Sequence, residues 1–219
     1  MKKSDLNQKI DHTLLRADAR SEEIIKLCNE AVKYSFAAVC VPPYYLETAK
    51  KILKGSNVNL CTVVGFPLGY QHIAVKVEEC KRAIDEGADE LDVVINIAAV
   101  KNGDWDAIHA ELDHLSTMIS MKDRIFKLIF ETALLTQDEI IKLCELCIQY
   151  KVDFAKTSTG FSTKGAEVET IRLMYSILKT KVKIKASGGI KTRATAEAMI
   201  EAGADRLGTS SGVDIVSSD

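Results

Sequence analysis

Proline is scarce in this 219-residue chain, with three in all, and no stretch rich in proline and glycine marks a linker between two domains. Nor does any apolar run approach the roughly 18 residues of a membrane-spanning helix. The opening Met1-Lys2-Lys3-Ser4-Asp5 lacks the apolar stretch of a secretory signal. Excess charge is missing too: 29 basic and 31 acidic residues leave a net charge of -2, which excludes the basic footprint of a general nucleic-acid binder. With 47% hydrophobic residues the chain can bury a full core, unlike a disordered polymer. These absences predict a soluble cytoplasmic protein with no membrane or nucleic-acid partner, residues 1–219 forming one domain.

Metal-binding patterns are thin. The six cysteines lie scattered in apolar contexts, which suits buried thiols in a reducing compartment better than a disulfide framework. Cys144 and Cys147 form a single C-x-x-C inside a helical pattern that opens with the capping box Thr136-x-x-Glu139, and no nearby histidine completes a zinc set. His12, His72, His109 and His114 share no metal-ligand spacing, and Trp105 reads as the anchor of a helix start. No metal and no cofactor are expected.

What the chain does have is alternation. Short β-rich runs at Lys9–Thr13, Ala37–Val41, Leu60–Gly65, Glu90–Ile95, Ile125–Glu131, Val152–Thr157, Val182–Ala186 and Arg206–Thr209 are separated by amphipathic segments. The latter begin near Ser21, Tyr44, Tyr70, Asp104, Thr136, Gly165 and Thr192. Strand–helix alternation builds a parallel sheet, and eight strands close a (β/α)8 barrel, the TIM-barrel fold. A doubly wound open sheet is the other possibility, but no G-x-G-x-x-G follows the first strand. Four helix-to-strand junctions also share a local pattern, in which Cys40, Asp92, Lys156 and Gly208 hold the same place. These fall on strands two, four, six and eight; alternate strands supply each interior layer, so Cys40, Asp92 and Lys156 are predicted to point inward at one height.

Lysine is an unusual choice for a strand whose interior is normally filled by branched apolar side chains. Lys156 closes strand six in Phe154-Ala155-Lys156-Thr157-Ser158-Thr159-Gly160, and Lys185 lies at the end of strand seven in Lys183-Ile184-Lys185-Ala186-Ser187-Gly188-Gly189. A single such lysine would be read as snorkelling to solvent. Two on neighbouring strands, each before a glycine-bearing loop, favour chemistry. An amine attacks a carbonyl only when unprotonated, and a second ammonium nearby, with desolvation, would bring a lysine from about 10.4 toward roughly 7 to 8. Lys127 on strand five would add to the same field. Asp92 is either the acid/base for proton transfers or an ion-pair partner of these lysines. Asp11, near the end of strand one, either orients a lysine, bonds a substrate hydroxyl or caps a turn. Ser158-Thr159-Gly160, Ser187-Gly188-Gly189 and Gly208-Thr209-Ser210-Ser211-Gly212 follow strands six, seven and eight, where a phosphate site forms in this fold, with Gly212–Val216 long enough for a short helix. Lys191 could add charge there.

Together these motifs resemble the deoxyribose-phosphate aldolase family: Asp11-His12-Thr13-Leu14-Leu15, Val64-Gly65-Phe66-Pro67-Leu68-Gly69, Glu90-Leu91-Asp92-Val93-Val94-Ile95-Asn96, Lys156-Thr157-Ser158-Thr159-Gly160-Phe161 and Lys185-Ala186-Ser187-Gly188-Gly189-Ile190. The resemblance covers almost the whole chain. It implies a class I aldolase that reversibly cleaves 2-deoxy-D-ribose 5-phosphate to D-glyceraldehyde 3-phosphate and acetaldehyde without metal, in deoxyribonucleoside catabolism. Lys156 matches the Schiff-base lysine, Lys185 the lysine that tunes it and Asp92 the proton-relaying carboxylate. Substrate contacts would come from Asp11, Cys40, Thr157, Gly160, Gly188, Gly189, Gly208, Ser210 and Ser211. The expected partners are small phosphorylated sugars and aldehydes, and a second copy of the chain in a homo-oligomer, dimer or tetramer. Many family members carry a longer tail ending in a tyrosine; here no tyrosine follows Tyr175, so Asp92 and water are expected to handle the protons, or the enamine step to be slower. Another Schiff-base aldolase, a sugar-phosphate isomerase or a non-catalytic phosphometabolite binder would use the same scaffold.

Overall fold

A computed structural model describes residues 6–218, and within them eight parallel strands close into a barrel in sequence order, β1 pairing with both β2 and β8. The strands are β1 (Ile10–Thr13), β2 (Ala38–Val41), β3 (Asn59–Val64), β4 (Glu90–Val94), β5 (Ile125–Ile129), β6 (Phe154–Lys156), β7 (Lys183–Ser187) and β8 (Arg206–Thr209). Around them run α1 (Ser21–Tyr34), α2 (Leu46–Leu53), α3 (Ile73–Glu86), α4 (Ile97–Lys101), α5 (Trp105–Ser120), α6 (Gln137–Gln149), α7 (Val168–Leu178), α8 (Arg193–Glu201) and α9 (Gly212–Ser217). Among the described residues no helix is long and apolar enough to cross a membrane.

Successive strand residues face opposite sides, and the sequence uses this period of two to sort chemistry. Val39 and Val41, Leu91 and Val93, Phe126 and Leu128, and Ile184 and Ala186 join the apolar layer beneath the helices. Their neighbours Cys40, Asp92, Lys127 and Lys185 are also buried, but on the barrel's inner side, where Cys40 packs with Ala38, Cys61 and Val63. Each helix closes the outer layer with one apolar stripe; α1 buries Ile24, Leu27, Cys28 and Ala31 at helical spacing. Cys144 and Cys147 lie on the buried stripe of α6, whose Thr136–Glu139 capping box forms as expected and stabilises the helix start by about 1 kcal/mol. Burial pushes the Cys144 thiol up to about 12, the condition of a packing residue.

The repeated junction has a physical cause. In each of three repeats an aspartate just before an even-numbered strand accepts a backbone N–H from the odd-numbered strand before it. Asp89 takes the N–H of Leu60 at 2.9 Å, Asp153 that of Phe126 at 2.8 Å and Asp205 that of Ile184 at 2.9 Å. These carboxylates pin the lower ends of three strand pairs, and so set the height of the residues three positions on: Asp92, Lys156 and Gly208. Ala37 holds the place in the fourth repeat without a carboxylate.

Several boundaries differ from the sequence expectation. Helix α4 was not anticipated; Asn96 caps it by accepting the Ala99 N–H at 3.1 Å. Helix α7 begins at Val168 rather than near Gly165, because the Ala166 N–H is committed to the carbonyls of Ser187 and Gly188 at 3.0 and 3.1 Å. Helix α3 starts after His72 rather than at Tyr70, and a 3-10 turn at Pro43–Tyr45 precedes α2. Strand β6 is shorter than Val152–Thr157, since the Val152 N–H closes the end of α6 on Cys147 at 3.0 Å.

Candidate active site

Asp92 stands at the centre of the barrel, fully buried, and each of its oxygens takes two donors. Lys127 Nζ lies 2.8 Å and Cys61 Sγ 3.1 Å from Oδ1; Lys156 Nζ lies 2.6 Å and Lys185 Nζ 2.7 Å from Oδ2. Three lysines from consecutive strands β5, β6 and β7 therefore converge on one carboxylate. Burial alone would push that carboxyl up, but the ammonium groups of Lys127, Lys156 and Lys185 outweigh it and hold Asp92 well below the usual carboxylate range.

Beneath this contact lies a second tier. Asp11 receives Lys185 at 2.5 Å and Arg206 at 2.6 Å, while Glu90 receives Lys127 at 2.5 Å and Arg206 at 3.5 Å. Desolvation opposes charge on Lys185, yet Asp11 and Asp92 together hold its proton more firmly than an ordinary lysine's; Lys127 is held in the same way by Asp92 and Glu90. Lys156 differs from both. Among the described residues its amine has one carboxylate partner, Asp92, and it lines a cleft of about 450 Å³ at the carboxyl ends of the strands. The cluster holds four basic side chains, Lys127, Lys156, Lys185 and Arg206, against three carboxylates, Asp11, Glu90 and Asp92. A buried cluster avoids an unpaired charge, and among the described residues Lys156 is the cation of this cluster with the fewest carboxylate partners.

The cleft wall carries Gly160, Gly188, Gly189, Gly208 and Ser210 of the expected substrate contacts, with Thr159, Phe161, Arg16 and Lys191 beside them. Gly188 and Gly189 have φ of +87° and +78°, so the loop after β7 uses a backbone conformation that L side chains resist. Gly208 matters for space: a Cβ there would stand 3.1 Å from Lys185 Cε and 2.9 Å from Ser187 Cβ.

Other expected contacts do not line the cleft. Asp11 is fully buried below Lys185, so it orients a lysine and reaches no cleft ligand. Cys40 is enclosed with Cys61 inside the barrel. Thr157 is buried and spent on the β6–β7 seam, donating to Ser187 O at 3.3 Å and accepting the Ser187 N–H at 3.1 Å. Ser211 sits behind Ser210, its N–H donated to Thr209 Oγ1 at 2.9 Å, at the start of the expected short helix α9. The lysine pairing also needs correction: Lys156 and Lys185 do not face each other unshielded but share a carboxylate oxygen.

Glu90, Arg206 and Cys61 were overlooked in the sequence, although Glu90 precedes Asp92 and Arg206 precedes Gly208 by two, the same-face spacing of a strand. Glu131 was overlooked as well. It is buried in the left-handed conformation at φ 59°, and its Oε2 accepts both the hydroxyl and the N–H of Thr159. Thr159 Oγ1 in turn accepts the Phe161 N–H at 3.0 Å, so Glu131 sets the shape of the loop after β6. The available signal was a charged residue closing the apolar run Ile125–Glu131 at the carboxyl end of strand five.

Residues 6–218 match the family model described as DeoC/LacD family aldolase. The chain is 49% identical over 220 residues to a deoxyribose-phosphate aldolase of Caldicellulosiruptor saccharolyticus, covering all of both chains. It is 50% identical to one of Thermococcus gammatolerans, covering 97% of this chain and 95% of that one. Among solved structures it resembles a tetrameric deoxyribose phosphate aldolase from Aeropyrum pernix, with a TM-score of 0.91 at 32% identity over 98% of this chain and 91% of that one.

Proposed function

The chain belongs to the DeoC/LacD family of aldolases, and we propose that it cleaves 2-deoxy-D-ribose 5-phosphate reversibly through a Schiff base on Lys156. The observation that carries this reading is the asymmetry of the three lysines: Lys127 and Lys185 are each tied to more than one carboxylate, whereas Lys156 has one and opens into the cleft.

The free amine of Lys156 adds to the C1 aldehyde of the open-chain sugar, and loss of water from the carbinolamine gives an iminium ion. Removal of the C3 hydroxyl proton breaks the C2–C3 bond. Its electron pair moves into the enamine on Lys156, and D-glyceraldehyde 3-phosphate leaves. Protonation of the enamine at C2 and hydrolysis then release acetaldehyde. Asp92, bonded to Lys156 Nζ at 2.6 Å, carries the protons, with water between it and the substrate oxygens. Lys185 shares Asp92 Oδ2 with Lys156 and so positions that carboxylate beside the reacting amine. The sugar phosphate is assigned to the N–H groups of the Gly188-Gly189 and Gly208–Ser210 loops, with Lys191 supplying charge.

Borohydride added with acetaldehyde or deoxyribose 5-phosphate should fix one adduct, and peptide mapping should place it on Lys156. An adduct on Lys185 or Lys127, or none, overturns the assignment. Turnover of deoxyribose 5-phosphate against ribose 5-phosphate and fructose phosphates separates this reaction from other Schiff-base aldolases and from isomerases.

A homo-oligomer in the cytoplasm is part of the same reading. The tetrameric relative supports assembly, and six buried free thiols suit a reducing compartment. Light scattering on the purified chain decides the first point; a monomeric mass would reject it.

A further inference from the structure

Cys40 and Cys61 are directly opposite each other on β2 and β3, both fully buried on the inner side of the barrel. One carboxylate completes the group: the two sulfurs and an oxygen of Asp92 all lie within 4.8 Å of one another, with Cys61 Sγ already 3.1 Å from Asp92 Oδ1. We propose that Cys40, Cys61 and Asp92 form an inhibitory binding site for a thiophilic d10 cation such as Zn2+ or Cd2+. This goes beyond the aldol reaction, which needs no metal, and its inhibitory arm rests on the role given to Asp92.

The donor set fits such an ion. Tetrahedral zinc takes sulfur at about 2.3 Å and carboxylate oxygen at about 2.0–2.2 Å, which spaces its ligands roughly 3.5–3.8 Å apart. The three donor atoms, all within 4.8 Å of one another, stand within about 1 Å of that spacing. Two thiolates select soft cations over Mg2+ or Ca2+. The lysines nearby do not exclude the ion as they would a bare charge. Each thiol gives up a proton on binding, so two protons leave as one divalent ion enters and the net charge of the cluster is unchanged. Lys127 Nζ, 3.2 Å from Cys61 Sγ, offers a positive partner to the thiolate that forms. Three protein donors leave the fourth position for water.

Access runs from the cleft. Among the described residues the partly exposed hydrophobics packed against the Cys40–Cys61 cluster are Leu15 and Phe66, and Leu15 lines the cleft itself. Once bound, the ion competes with Lys127 for Asp92 Oδ1 and takes from Lys156 the carboxylate that moves its protons.

The test is a titration of the full chain, kept reduced, with CdCl2, reading the ultraviolet thiolate-to-cadmium band and aldolase activity together. Buried Cys144 and Cys147 are a second dithiol, so the Cys144→Ala/Cys147→Ala variant is titrated in parallel. The wild type and that variant should each take one Cd2+ per chain, with the band and the loss of activity rising together. Cys61→Ala and Cys61→Ser should lose the band, and should need at least about tenfold more Cd2+ for half-inhibition relative to their own starting activity. Two Cys61 substitutions guard against a folding defect in either. MgCl2 should do nothing. The site is rejected if no band forms, if the band survives both Cys61 substitutions, or if it disappears in the helix variant. Binding with full band and undiminished activity rejects the inhibitory arm. The band decides the site even if deoxyribose 5-phosphate proves not to be the substrate.

Discussion

Lys156 and Lys185 direct their ammonium groups at the same atom, Asp92 Oδ2, from 2.6 and 2.7 Å. Two donors on one oxygen compete, and Lys185, with Asp11 as a second anchor at 2.5 Å, keeps its proton. Lys185→Leu removes the competitor and leaves Asp92 Oδ2 to Lys156 alone. The amine should then be freed only at higher pH, so kcat/KM at neutral pH should fall at least about tenfold, a barrier change of about 1.4 kcal/mol, and partly recover on the alkaline side. A pH–rate profile unmoved from wild type would mean that Lys185 acts otherwise.

Asp92→Asn should do two kinds of damage. It leaves three buried lysines without their shared carboxylate, and breaking a buried pair from one side costs about 3–5 kcal/mol. It also removes the proton carrier, worth about 10²–10⁴ in rate. Denaturant midpoints and kcat measure the two effects separately. Wild-type kcat in a folded variant would exclude Asp92 from the chemistry.

Acid should destabilise the barrel through the same carboxylates. Asp11 and Asp92 are held below their ordinary range in the folded state, so they bind fewer protons there than in the unfolded chain. Their contribution is complete above the ordinary carboxylate value near 4 and is lost as pH falls below it toward their folded values. Urea midpoints should change little through these groups from pH 6 to about 4 and then fall as pH drops toward 2, more for wild type than for Asp92→Asn.

Gly208→Ala tests the room left for Lys185. The added methyl would come 3.1 Å from Lys185 Cε and 2.9 Å from Ser187 Cβ, so the β7–β8 spacing must give by a little and the end of the lysine must shift with it. Overpacking of this kind costs about 1–3 kcal/mol. Because Lys185 is the movable element, the pH–rate profile should shift as in Lys185→Leu while the fold survives. A loss of stability with an unchanged profile would place the strain on the strand instead.

Glu131 anchors Thr159 on the cleft wall through hydrogen bonds to its hydroxyl and N–H. Leaving a buried partner without its hydrogen bond costs about 1–3 kcal/mol, so Glu131→Ala should loosen the cleft wall and raise KM for the phosphorylated sugar about tenfold. Borohydride trapping of acetaldehyde on Lys156 should be nearly unaffected, since that small substrate does not reach the loop. Glu131→Gln keeps an acceptor oxygen and should restore most of the affinity. Equal loss in trapping and in KM would point to general unfolding.

Strand–helix alternation made a parallel sheet legible, and the count of eight strands with no G-x-G-x-x-G after the first favoured the barrel that the structure shows over a doubly wound sheet, because the period of two in the strands and the stripe spacing in the helices are local consequences of backbone geometry. The same period made Lys156, Lys185 and Asp92 visible as polar residues where apolar ones belong. Even the matching positions of Asp92 and Lys156 were legible, since Asp89 and Asp153 write the strand junctions into the chain three residues earlier. Glycines at 160, 188 and 189 likewise marked loops that meet at the cleft, beside Gly208 near the end of β8.

Which of these polar residues touches which was decided only by closing the barrel. Asp11 and Arg206 are far apart in the chain yet bonded at 2.6 Å, because β1 pairs with β8. That closure turned Asp11 from a candidate substrate contact into a support for Lys185, and brought Glu90 and Cys61 into the same buried group. It also supplied the charge comparison that distinguishes Lys156 from its neighbours. Side-chain type and period are local properties of a sequence; the sharing of one carboxylate by three lysines depends on strand order, tilt and register, which exist only once β8 has returned to β1.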